Sequence, residues 1–123
     1  MNQVPFLPED LLNIQSERKE GCLVITACGE MDISNAPMLH EAFQECYCPN
    51  EVQRVIFDIS NLRFIDSEGI KALEQCLKDI GGKPTTILHK TRMQNRVIEI
   101  LGPDLERQFQ NLIFRRTEKF SPN

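Results

Sequence analysis

Arg54-Val55-Ile56-Phe57-Asp58-Ile59-Ser60-Asn61-Leu62-Arg63-Phe64-Ile65-Asp66-Ser67-Glu68-Gly69-Ile70 is the stretch on which the fold turns. Val55-Ile56-Phe57 is β-branched and aromatic without alternation, which suits a strand covered on both faces. The spacing predicts a strand over 54–59 and a polar break at Ser60-Asn61. Asp66-Ser67-Glu68-Gly69 then opens a helix. Ile70, Leu73, Cys76, Leu77 and Ile80 recur at helical intervals and form its apolar stripe. Gly81 is placed to end it.

Working outward, Cys22 to Cys28 is a second buried-type strand, closed by Gly29. A short strand over 12–15 and a polar turn over 16–21 would pair with it as an antiparallel hairpin. Ser34 can cap a helix with Pro37 in its first turn and a stripe of Met38, Leu39, Ala42, Phe43, Cys46 and Tyr47. Beyond Gly81, residues 85–88 read as a core strand and residues 94–101 as a helix broken by Gly102-Pro103. Asp104 would cap a last helical segment to Phe109, and residues 112–116 would form an edge strand. The alternation means an α/β fold with a mixed, mostly parallel sheet of four to five strands and three to four helices. Residues 1–10 read as a flexible N-terminal arm, 11–120 as one domain and 121–123 as a polar tail.

The composition is that of an ordinary globular chain: 123 residues, 41% hydrophobic, 26% charged. A net charge of −4 weighs against a general nucleic-acid binder. No apolar run reaches the ~18 residues a membrane span needs, and the first ten residues do not read as a secretion signal. A cytoplasmic protein is the expectation, with its five cysteines as reduced thiols. Neither the cysteines nor His40 and His89 fall in zinc-type spacing, so no metal and no cofactor is implied. A cysteine hydrolase built on Cys28 and His40 lacks a visible third member to orient the histidine. Gly81-Gly82 ends a helix and does not open one, so it makes no phosphate loop. The basic residues of the stretch 88–94 read as a solvated loop and helix start.

If strand 22–28, the helix after it and strand 54–59 form a right-handed crossover, both strands end at the same sheet edge. The loop 29–34 and the segment 61–68 then become neighbours at the edge where functional sites collect in such sheets. At that edge Asp66 or Ser67 can serve as N-cap, with Glu68 as a first-turn acid. Ser67 can also accept a phosphate, because helix N-termini accommodate anions.

Gly29-Glu30-Met31-Asp32, then Ser34-Asn35-Ala36, Val55-Ile56-Phe57-Asp58-Ile59-Ser60 and Phe64-Ile65-Asp66-Ser67-Glu68-Gly69-Ile70, in that order, resemble the STAS domain family. The match runs from about Gly21 to Gly82, more loosely to Phe114, and is nearest to the bacterial anti-sigma factor antagonists. The resemblance implies a non-enzymatic regulator that binds an anti-sigma factor with serine kinase activity and is released when that kinase phosphorylates it. A serine/threonine phosphatase would reverse the step. By position the phosphorylated serine is Ser67, and Glu30, Asp32, Ser34, Asp66, Glu68 and Gly69 stand in the partner-binding region around it. Glu30, Asp32, Asp66 and Glu68 are expected to gather at one rim. The residue after the serine is commonly Ser, Thr or Ala in the family, and here it is Glu68. That departure leaves open an alternative, a non-phosphorylated STAS scaffold subunit of a sensing or lipid-transport complex. The length matches one STAS unit standing alone.

Overall fold

The computed structural model describes residues 12–90 and 96–117. The arm over 1–10, most of the basic stretch and the tail over 121–123 lie outside the described residues. Five strands, β1 (Asn13–Lys19), β2 (Cys22–Met31), β3 (Arg54–Ile65), β4 (Thr85–His89) and β5 (Leu112–Arg116), form one sheet in chain order. β1 and β2 are antiparallel, and every later pair is parallel. Helices α1 (Pro37–Cys46), α2 (Ser67–Ile80) and α3 (Arg96–Gln108) make the connections between the parallel strands. The architecture is α/β, with a five-stranded mixed sheet and three helices.

One core holds the layers together. Leu23, Ile25 and Ala27 of β2 and Val55, Phe57 and Ile59 of β3 are buried on the same face as Leu39 and Phe43 of α1 and Leu73 and Leu77 of α2. Phe43 and Phe57 meet with ring centres 5.9 Å apart. The alternate residues Val24, Thr26, Ile56, Asp58, Thr86 and Leu88 are only half-buried. The expectation of cover on both faces is therefore corrected: among the described residues the helices cover one face. An apolar run does not distinguish a strand packed on both sides from one whose second face is merely shielded by neighbouring strands.

Both central strands outrun their expected ends. Gly29 does not close β2, because Gly29 and Met31 continue the inward-facing series begun at Leu23. Ser60-Asn61 does not break β3. Instead β3 uses 12 residues to match the 10 of β2, with register shifts between Thr26 and Cys28 and between Gly29 and Glu30. Each shift inserts one extra residue in β3, as a bulge does. Buried positions of β3 accordingly fall at 55, 57 and 59 and then at 62 and 65. The polar pair at the first bulge is satisfied locally, since Ser60 donates its hydroxyl to Asp58 Oδ1 at 2.6 Å and its amide at 3.0 Å.

Three further corrections are local. β1 extends to Lys19, and the turn shrinks to Glu20-Gly21, both with positive φ (50° and 79°), as a tight hairpin demands. An edge strand with a solvated row carries no apolar pattern to read. Ser34 does not cap α1: the cap position is Ala36, without a side-chain bond. α3 runs through Gly102-Pro103, so Asp104 is an interior residue and caps no separate segment. Ile98, Gly102 and Leu105 keep one buried stripe across the proline, and Gly102 packs against the Phe114 ring. That burial outweighs the one backbone hydrogen bond that Pro103 forgoes.

Candidate functional site

The bulges carry β2 and β3 to a common end, where Met31 pairs with Ile65. Asp66 follows Ile65, and its amide donates to the Met31 carbonyl at 3.3 Å. Its side chain is the N-cap of α2: Oδ1 accepts from the amides of Glu68 (3.0 Å) and Gly69 (3.2 Å). Of the two cap candidates, Asp66 holds the role. Ser67 is thereby the first helical residue, exposed, and no side-chain hydrogen bond engages its hydroxyl among the described residues. Gly69 is pressed onto the end of the strands. A Cβ there would lie 2.6 Å from Ile65 Cγ1, 3.1 Å from its Cδ1 and 3.4 Å from Met31 Cε.

The loop after β2 approaches the same edge. Asp32 Oδ1 accepts the Ser34 hydroxyl at 2.6 Å and the Ser34 amide at 3.0 Å. The Asp32 amide donates to Asn35 Oδ1 at 2.9 Å, and Asn35 Nδ2 donates to the Glu30 carbonyl at 3.0 Å. The Ser34 hydroxyl, then its amide, hold the Asp32 carboxyl below the usual aspartate range. The structure thus brings Glu30, Asp32, Ser34, Asp66, Ser67, Glu68 and Gly69 to one edge. None of the four acids there is a bare charge. Glu30 lies 3.6 Å from Arg63 and Glu68 3.3 Å from Lys71, while Asp32 and Asp66 are occupied by their own loops.

Sequence reasoning missed the apolar part of this edge. Ile33 is 71% exposed, Phe64 43% and Met38 43%. Ile33 could have been found as a lone apolar residue in a polar loop. Phe64 could not, because the expected break at Ser60-Asn61 cut it off from the alternation of β3, which two offsetting bulges carry through to it. Met38, assigned to the buried stripe of α1, faces solvent. Ile33 also borders a groove of about 400 Å³ between α1 and α2, with Pro37, His40, Glu68 and Lys71 along its walls.

The groove bears on the hydrolase idea. His40 is oriented after all, with Nε2 2.7 Å from Asp79 Oδ2. Cys28, however, belongs to the half-buried row of β2 with Val24 and Thr26, on the sheet face opposite α1. The sheet separates the pair. Among the described residues no group of three His, Cys, Asp or Glu side chains could hold a metal ion. No helix is long and apolar enough to cross a membrane.

The fold has counterparts in known structures. An anti-sigma factor antagonist from Mycobacterium paratuberculosis superposes with a TM-score of 0.72 at 23% identity, covering 88% of each chain. The anti-sigma factor antagonist SpoIIAA in its unphosphorylated form gives 0.59 at 14% identity, covering 88% of this chain and 90% of that one. The Bacillus cell fate determinant SpoIIAA in the phosphorylated form gives 0.59 at 20% identity, covering 86% and 93%. At these identities the likeness is one of fold. Among curated proteins none shows significant sequence similarity. The family model of the STAS domain matches residues 13–123, from the first residue of β1 across every strand and helix described above, and the chain belongs to that family.

Proposed function

We propose that this STAS domain is a cytoplasmic anti-sigma factor antagonist, switched by phosphorylation of Ser67. Unmodified, it binds an anti-sigma factor with serine kinase activity, and that contact frees the sigma factor. Phosphorylation of Ser67 by the bound kinase ends the contact, and a serine/threonine phosphatase restores it. The observation that carries this reading is the state of Ser67: exposed, first in its helix, with a hydroxyl that no side-chain hydrogen bond engages among the described residues, at the sheet edge where Ile33 and Phe64 are also exposed.

The geometry explains how one phosphate would act. It adds about −1.5 to −2 charges at pH 7. A helix N-terminus ordinarily offers its amides to such an anion. Here the Glu68 and Gly69 amides are already taken by Asp66 Oδ1. The added charge therefore stays directed outward, next to Asp66 and Glu68. A partner surface that packs on Ile33 and Phe64 would have to bury it uncompensated, which costs several kcal/mol.

The test is calorimetric binding to a purified kinase-type anti-sigma factor encoded in the same genome. Wild type and Ser67→Ala should bind alike, and Ser67→Asp at least tenfold more weakly, a difference of about 1.4 kcal/mol. Equal binding by the Ala and Asp variants would overturn the switch.

A further inference from the structure

Lys71 stands one turn into α2, and its Nζ donates to Glu68 Oε2 at 3.3 Å. Both side chains also border the groove between α1 and α2. Ser67 lies four residues before Lys71 on the same helix, and both are exposed. Residues three and four apart on a helix are neighbours, so one ammonium at residue 71 serves two positions, 67 and 68. Which of them it meets is decided by charge. In the unmodified chain residue 67 offers a neutral hydroxyl and residue 68 a carboxylate, and Lys71 is found on the carboxylate. The other charges of this edge have partners of their own. Asp66 Oδ1 accepts from the Glu68 and Gly69 amides, Asp32 Oδ1 from Ser34, and Glu30 lies 3.6 Å from Arg63. Along α2 the next cation is Lys78, two turns further on.

We infer that Lys71 is a shared counter-ion, which leaves Glu68 for the phosphate when Ser67 is phosphorylated. The inference rests on the phosphorylation proposed above and concerns what that modification does to the rim. A phosphate carries about −1.5 to −2 charges at pH 7, more than a carboxylate, and hydrogen bonds to charged groups are the strong ones. The order of residues favours the exchange too, since an anion four residues before a lysine is the better orientation on a helix. The Asp66 cap holds the Glu68 and Gly69 amides, so the ammonium is the donor left to the phosphate within the first turns of α2. Two consequences follow for Glu68. In the unmodified chain Lys71 offsets its charge, so the acid that follows the serine does not imitate a phosphate. In the modified chain Lys71 offsets only part of the phosphate, and Glu68 loses its counter-ion. One modification thereby uncovers negative charge at residue 67 and again at residue 68, the second on the groove wall that Ile33 also borders.

The experiment uses the full-length chain with phosphoserine placed at residue 67 during translation, so that no kinase is needed. Phosphorus NMR follows the phosphate through its second ionisation, near about pH 6. The phosphate should titrate about 0.3 pH unit lower with Lys71 present than in Lys71→Gln, and Lys71→Arg should keep most of that lowering. Competition is read from a second pair of chains. In a Glu68→Gln background the difference made by Lys71→Gln should be larger, because no carboxylate then holds the ammonium. Equal titration with and without Lys71 would overturn the inference. So would a difference of the same size in both backgrounds, since Lys71 would then act as a fixed charge that nothing shares. Neither comparison involves a partner. The exchange can therefore fail while Ser67→Asp still weakens binding to the anti-sigma factor, and it can hold while Ser67→Ala and Ser67→Asp bind alike.

Discussion

Gly69 is packed so tightly against Ile65 that the first atom of any side chain at residue 69 would fall 2.6 Å from Ile65 Cγ1. The contact joins the end of β3 to the first turn of α2 and sets how far Ser67 projects. Cγ1 is the base of the Ile65 side chain, so rotation of a flexible tip cannot relieve it.

Gly69→Ala should therefore destabilise the fold by about 1–3 kcal/mol, the usual range for overpacking, despite the better helix propensity of alanine. Urea denaturation checks it. In the double variant Gly69→Ala/Ile65→Ala the two costs should fall short of their sum, because removing Cγ1 removes the clash. Additive costs would mean that the strand end yields freely.

Asp66 supplies the side-chain cap of α2. Asp66→Ala should cost about 1 kcal/mol, within ~0.5–2, while Asp66→Asn keeps an acceptor and loses little. The Ala variant should also free the Glu68 amide, which will exchange hydrogen faster than the amides of the helix middle, while the Gly69 amide keeps its 3.0 Å bond to the backbone carbonyl of residue 66. Unchanged protection at the Glu68 amide would show that the cap is not what holds it.

The exposed apolar pair gives a test that separates binding from folding. If the proposed anti-sigma factor contact uses them, Ile33→Ala and Phe64→Ala should each weaken it by tenfold or more, as central apolar anchors do. The thermal midpoint should move little for Ile33→Ala, since that side chain is 71% exposed, and more for Phe64→Ala, since Phe64 is 43% exposed. Loss of binding together with loss of stability would mean that these residues serve the fold instead.

What the sequence made legible follows from what patterns encode. Strands β2 to β4 and helix α2 carry strong apolar periodicity, and a helix opening with Asp66-Ser67-Glu68-Gly69 is a local capping signal. The acids and Ser67 could be brought to one edge because a crossover makes strand ends coincide. Bulges are another matter. Ser60 and Asn61 look like a break, and only the neighbouring strand shows that the chain here carries one extra residue inside a continuous strand. Hence the lengths of β2 and β3, and the outward turn of Phe64, were invisible. Pro103 misled for a related reason: propensity is local, while the burial that keeps α3 continuous is tertiary.

Asp32 links the edge to pH. Its carboxyl is held low by the Ser34 hydroxyl and amide, so the folded chain binds that proton less readily than the unfolded chain does. The stabilisation is complete above the ordinary aspartate value of 3.8 and is lost as pH falls through the lower folded value. Asp32 bonds only within its own loop, so the effect belongs to the loop and not to global stability. In an NMR titration the Ser34 amide should keep its shift down to about pH 4 and change only below it. A midpoint at or above 3.8 would contradict the hydrogen bonds.

Cys76 makes the opposite case, a group whose burial decides its titration. It lies on the core face of α2, and burial, with Asp79 nearby, pushes its thiol far above the ordinary cysteine range. The folded state holds that proton where the unfolded state would release it, so stability is undiminished below the ordinary thiol value and declines as pH rises beyond it. Denaturation midpoints should fall between about pH 8.5 and pH 10.5 in wild type, more steeply than in Cys76→Ala. The alanine chain starts from a lower stability because it leaves a small cavity, so the slope with pH is the quantity to compare. The same burial should make Cys76 the slowest of the five thiols toward iodoacetamide at pH 8, reacting only as fast as the chain unfolds. Labelling at the rate of partly exposed Cys22 would show that the α2 seam opens far more often than its packing implies.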